Sequence, residues 1–118
     1  MDFERFSKIA KNCYPDGLPY SLDDCLSVFS YFFQMYQETM GIEHPPIKPR
    51  QIQELMRRMP YIDDIGLNNS GKCEDIDVYT YPYMIDLYFQ TSYKNCDYRI
   101  GHFFSGKIRE IKLFEAMR

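Results

Sequence analysis

Apolar residues recur along most of this chain at three- and four-residue spacing, the period of one helix face. Phe3, Phe6, Ile9, Ala10 and Cys13 predict a first helix over about residues 2–13, with Asp2 as its N-cap. Tyr14-Pro15-Asp16-Gly17-Leu18-Pro19 ends it, since two prolines and a glycine leave no room for more helix. The clearest element follows. Ser21 supplies a capping hydroxyl, and Asp23 and Asp24 place carboxylates in the first turn, where they complement the helix dipole. Leu22, Cys25, Leu26, Phe29, Phe32, Phe33, Tyr36 and Met40 then repeat the helical spacing, and Val28, Tyr31 and Met35 widen the stripe. A helix so apolar around its girth is expected at the centre of the fold. Gly41 closes it as a left-handed C-terminal residue.

His44-Pro45-Pro46-Ile47-Lys48-Pro49 reads as a stiff, extended connector, with His44 expected to be exposed. Pro49 suits the first turn of a third helix, over about residues 49–59, with Ile52, Leu55, Met56 and Met59 inward. Its outer face carries Arg50, Glu54, Arg57 and Arg58. Between residues 61 and 80 the helical pattern lapses. Asn68-Asn69-Ser70-Gly71 is a turn signal, and Ile62, Ile65, Leu67, Ile76 and Val78 could flank it as a hairpin. Asp63, Asp64, Glu74, Asp75 and Asp77 are poor strand residues, so an acidic loop is the favoured expectation there and a short hairpin the alternative. Thr80 and Pro82 open a fourth helix to about residue 92, with Tyr81, Met84, Ile85, Tyr88 and Phe89 inward. A last helical region covers about residues 100–117, broken near Ser105-Gly106, with Ile108, Ile111 and Phe114 or Leu113 as its apolar side. The expected fold is a single all-α domain of four to five helices over residues 1–118.

Composition adds a compartment and removes several functions. The chain has 118 residues with eleven Tyr, nine Phe and no Trp, an aromatic content suited to a packed core. No run of 18 apolar residues exists, so no membrane span is expected. The opening MDFERFSKIAKNC lacks the apolar core of a secretory signal, so a cytoplasmic location is expected. Cys13, Cys25, Cys73 and Cys96 are then expected as free thiols. They lack metal-ligand spacing, so neither a metal nor a cofactor is expected.

Charge is distributed unevenly. Residues 63–86 carry −5 and the remainder +2, within a net charge of −3. The acidic stretch also holds tyrosines. Asp63, Asp64, Glu74, Asp75, Asp77, Tyr79 and Tyr83 form a candidate surface for a protein partner with a basic face, such as a nucleic-acid-binding effector. The alternative is direct nucleic-acid binding by Lys48, Arg50, Arg57 and Arg58, joined by Lys107, Arg109 and Lys112 if the last helix lies alongside. Catalytic candidates are sparse. Asp63 and Asp64 are adjacent, so their carboxylates diverge on most backbones rather than share a proton. His102 sits beside Phe103 and Phe104, where a backbone-bonded imidazole is expected; pairing with Cys96 as base and nucleophile is the alternative. The chain is expected not to be an enzyme.

Two segments carry a resemblance. Cys96-Asp97-Tyr98-Arg99-Ile100-Gly101-His102-Phe103-Phe104-Ser105-Gly106-Lys107-Ile108-Arg109 is similar to the ending of small uncharacterised accessory proteins carried on bacterial integrative and conjugative elements. Tyr14-Pro15-Asp16-Gly17-Leu18-Pro19-Tyr20 is similar in the same way. The resemblance implies a bacterial cytoplasmic protein of mobile-element origin, with a role in element regulation, transfer, replication or inhibition of host defence. It transfers no activity to any residue. The combined expectation is a non-enzymatic binding inhibitor or regulator, for which an anti-CRISPR-like protein is one concrete form.

Overall fold

A computed structural model describes residues 1–63, 73–105 and 107–117. The expected Asp64, Ile65, Leu67, the Asn68–Gly71 turn, Lys72, Gly106 and Arg118 lie outside the described residues. The described chain is mainly helical, in the order α1 (Phe3–Cys13), α2 (Leu22–Met40), α3 (Pro49–Arg58), β1 (Tyr61–Asp63), β2 (Cys73–Asp75), a 3-10 turn (Val78–Thr80), α4 (Tyr81–Gln90), α5 (Ile100–Phe103) and α6 (Ile108–Ala116). The all-α expectation holds, and the last helical region is broken between α5 and α6. Where an acidic loop was favoured, β1 and β2 pair antiparallel, Ile62 opposite Glu74. Ile62 and Ile76 are buried, and Ile76 N–H extends the pairing to the Pro60 carbonyl at 2.8 Å. Apolar anchors therefore outweigh the poor strand propensity of the acidic residues.

Caps set the helix ends. Asp2 accepts the Arg5 N–H at 3.2 Å. Ser21 and Asp24 form a reciprocal capping box, each side chain bonded to the other's backbone N–H. Gly41 ends α2 at φ 74°, a conformation that side chains with a Cβ rarely adopt. Thr80 makes no side-chain cap at α4. Asp77 instead caps the 3-10 turn that feeds the helix, accepting the Tyr79 N–H at 2.9 Å.

α2 is central. It packs along α4 and against α1; α4 also packs along α6, and α1 along α3. Cys25, Val28, Phe29, Phe32, Phe33 and Tyr36 are its buried residues, whereas Met40 is exposed at the last turn. Aromatic rings join the layers in edge-to-face and tilted pairs. Phe6 of α1 lies 4.9 Å from Phe29 and 5.2 Å from Phe33. Phe32 lies 5.5 Å from Phe103, and Phe103 lies 5.2 Å from Tyr88. Each such pair adds about 0.5–1.5 kcal/mol beyond the area it buries.

α6 turns a face inward that its apolar residues do not predict. Ile111 and Phe114 are exposed, whereas Arg109, Lys112 and Leu113 are buried. The cause is unfinished hydrogen bonding at the end of α3, whose last carbonyls have no partner within the helix. Arg109 donates from Nη1 to the Arg58 carbonyl and, at 3.1 Å, to the Tyr81 hydroxyl; Nη2 donates to the Tyr61 carbonyl at 2.7 Å. Tyr81 donates in turn to the Met59 carbonyl at 2.6 Å. A guanidinium can serve several carbonyls at once, which an apolar side chain cannot.

Candidate functional site

The acidic and tyrosine-rich candidates are brought together in part. Asp77, Tyr79 and Tyr83 lie on the short path from the 3-10 turn into α4. Tyr79 is 79% exposed and Tyr83 66% exposed. The other tyrosines of this region are used internally. Tyr81 is fully buried, and Tyr20 donates to the Ile76 carbonyl. Beside the exposed pair, Tyr31 donates to the Asp86 carboxylate, and that hydrogen bond to the protonated phenol, with burial and the nearby negative charge adding to it, pushes the phenol up to about 12. A cleft of about 70 Å³ separates α2 from this turn, lined by Ser27, Val28, Tyr31, Val78, Tyr79 and Pro82. Asp63, Glu74 and Asp75 stand on the two strands, and Asp64 lies outside the described residues.

The basic candidates do not form one face. Lys48, Arg50, Arg57 and Lys107 are exposed. Arg58 is half-buried and donates to the Phe104 carbonyl. Arg109 is committed to the interior network, and Lys112 is buried, donating to Thr91 Oγ1 at 2.6 Å and to Glu115 at 3.1 Å. The expectation that Arg109 and Lys112 extend a surface patch is therefore corrected: internal carbonyl, hydroxyl and carboxylate partners hold both cations. On α3, exposed Glu54 sits between Arg50 and Arg57, so the remaining face is of mixed charge.

His44 is not exposed as expected, and His102 keeps the expected partial burial but finds other partners than the expected backbone. His44 is 4% exposed, packed against Phe33 and Tyr36 at ring distances of 4.9 and 4.7 Å. Its Nδ1 donates to the Pro45 carbonyl at 2.8 Å, and its Nε2 accepts the Ile100 N–H at 3.1 Å. A ring with one nitrogen protonated and the other accepting is neutral, and burial lowers its pKa. His102 is half-buried and bonded to side chains rather than to backbone. Its Nδ1 lies 2.8 Å from the Tyr88 hydroxyl and 3.3 Å from Cys96 Sγ. Cys13, Cys25 and Cys96 are free.

No family model, curated protein or solved structure matches the chain. No helix among the described residues is long and apolar enough to cross a membrane. An exposed apolar set on α6 and at its C-cap, Ile111, Phe114 and Met117, was missed because a residue-by-residue reading places such side chains inward. Its only sequence signal is the basic pair at positions 109 and 112, which occupies the inward positions instead.

Proposed function

We propose that this protein is a binding module that engages a basic protein surface through Asp77, Tyr79 and Tyr83. The observation that carries the reading is the pair of exposed tyrosines. This fold buries or half-buries its other nine tyrosines, yet it leaves Tyr79 and Tyr83 in solvent four residues apart beside a carboxylate. Tyrosine offers large apolar area and a polar tip at little conformational cost, and it is enriched at protein interfaces. The −5 charge of residues 63–86 supplies long-range attraction to a basic partner. An inhibitor or regulator of a nucleic-acid-binding effector, encoded by a mobile element, is the specific role that the resemblance adds. Such a protein would occupy a channel that otherwise selects for phosphates.

Capture of partners from a bacterial lysate, with and without nuclease, tests the reading against direct nucleic-acid binding. Tyr79→Ser with Tyr83→Ser should abolish capture of a basic protein that survives nuclease and elutes with salt. Arg50→Ser with Arg57→Ser should leave it intact. Capture that vanishes with nuclease, and with the arginine pair alone, would assign the chain to nucleic acid.

A further inference from the structure

Cys13 and Cys96 are both half-buried free thiols, but their neighbours treat the sulfur oppositely. Cys13 Sγ faces the Ala10 carbonyl of its own helix at 3.7 Å, an acceptor that favours the protonated thiol. Burial also pushes its pKa up. Cys96 Sγ receives the Tyr98 N–H at 3.2 Å. A backbone N–H can only donate, so this sulfur is an acceptor and its own hydrogen must go elsewhere. His102 Nδ1, at 3.3 Å, can take it. The Tyr88 hydroxyl lies 2.8 Å from the same nitrogen and 3.9 Å from the sulfur, so it donates to the ring while Nδ1 is unprotonated and can turn toward the sulfur once Nδ1 takes the thiol hydrogen.

The surrounding loop fixes this arrangement. Asn95 and Tyr98 adopt φ of 55° and 58°, a conformation uncommon for a residue as bulky as tyrosine. Tyr98 is held by its own hydroxyl, which accepts the Tyr93 N–H at 2.7 Å and donates to the Thr91 carbonyl at 2.8 Å. The left-handed turn thereby aims the Tyr98 N–H at the sulfur. Tyr88 of α4, Tyr93 and Tyr98 surround the pair. Lys112 of α6 lies 5.8 Å from the Tyr93 ring, and Arg99 pairs with Asp97 at 3.4 Å. His102 also borders a cleft of about 280 Å³ with Arg99 and Gly101.

We propose that Cys96 is an oxidative modification site, with His102 as its base and hydrogen peroxide as its simplest co-reactant. His102 takes the thiol proton, and the sulfur attacks one peroxide oxygen. The S–O bond forms as the O–O bond breaks, leaving cysteine sulfenic acid and hydroxide. The hydroxide takes the imidazolium proton as water, so the sulfur is oxidised, the peroxide is reduced and His102 returns to neutral. Cys13 has no such base and serves as an internal reference.

The test treats the full chain with hydrogen peroxide and dimedone and follows each thiol by site-resolved mass spectrometry from pH 5 to 9. Cys96 should be labelled about tenfold or more faster than Cys13 at pH 7. His102→Gln, checked for folding by circular dichroism, should bring Cys96 down to the Cys13 rate and move its profile to higher pH. Equal rates at Cys96 and Cys13 in the unaltered protein would overturn the proposal, and that comparison needs no variant to fold. A His102→Gln variant that folds and keeps the full rate and profile would overturn it as well.

Discussion

His44 and His102 border the same cleft, yet the fold uses them in opposite ways. Both nitrogens of His44 are committed to main-chain groups, one as donor and one as acceptor. Those partners cannot change protonation state, so the ring is held neutral and joins the proline connector to the start of α5. His102 shares one nitrogen between a phenol, which burial pushes well above its ordinary range, and a thiol, a partner that can give up its proton. The lesson is that a buried imidazole is made structural or chemical by the kind of hydrogen bond it makes, more than by its depth.

The harshest disturbance removes a ring common to both surroundings. Phe32 lies 6.1 Å from His44 and 6.0 Å from Tyr88, the phenol that contacts His102. It is fully buried, so Phe32→Ala should cost about 3–5 kcal/mol in urea unfolding. A loss below about 1 kcal/mol would mean that the two surroundings do not share a core. Next in size is His44→Ala. It empties a packed site and leaves the Ile100 N–H and the Pro45 carbonyl without partners, for an expected loss of about 2–4 kcal/mol.

Acid should separate the two histidines without mutation. Burial lowers the His44 pKa in the folded state, outweighing the Pro45 carbonyl, which raises it. Arg99 and the N-terminal amine push it down further, and Asp97 opposes them. The unfolded chain therefore binds this proton more readily than the folded one. The His44 contribution is complete above about pH 6.5 and is lost as pH falls from there through the lower folded value. The slope cannot exceed about 1.4 kcal/mol per pH unit for one proton. Urea unfolding between pH 7.5 and 5 should show this decline, and His44→Gln should flatten it. A decline unchanged by His44→Gln would move the acid sensitivity to another group.

The comparison also marks what a linear reading can reach. Helix positions were legible because spacing and caps are local: Ser21 with Asp24, Gly41, and the inward set of Tyr81, Met84, Ile85 and Tyr88 all follow from neighbours in the chain. The inward face of α6 was not. Arg109 is drawn in by the Arg58 and Tyr61 carbonyls, about fifty residues away, and hydropathy assigns it outward. His44 was hidden for the same reason, since its decisive partner is Ile100. The Cys96–His102 contact spans only six residues and is among the sequence alternatives, but what makes it, a left-handed Tyr98 aiming its N–H at the sulfur, is announced by no propensity. Of the candidate surface, Tyr79 and Tyr83 are sequence candidates, but their exposure beside the buried Tyr81 is set by the 3-10 turn and is read only from the structure.

The smallest expected effect is the most discriminating. His102→Gln should change global stability by no more than about 1 kcal/mol, the range of a single hydrogen bond in a partly solvated site. Its ring is half-buried, and its two partners lie 3.9 Å apart, so Tyr88 can turn its hydroxyl toward Cys96 when the imidazole is gone. No main-chain group is left unpaired by the change, in contrast to His44. Paired urea titrations of His44→Gln and His102→Gln at pH 7.5 measure the difference directly. The first should lose clearly more than the second, because only the first variant disturbs a bond that holds two segments of backbone together. Equal losses would mean that His102 is as structural as His44, and that its contacts with Tyr88 and Cys96 serve the fold rather than the chemistry of the thiol.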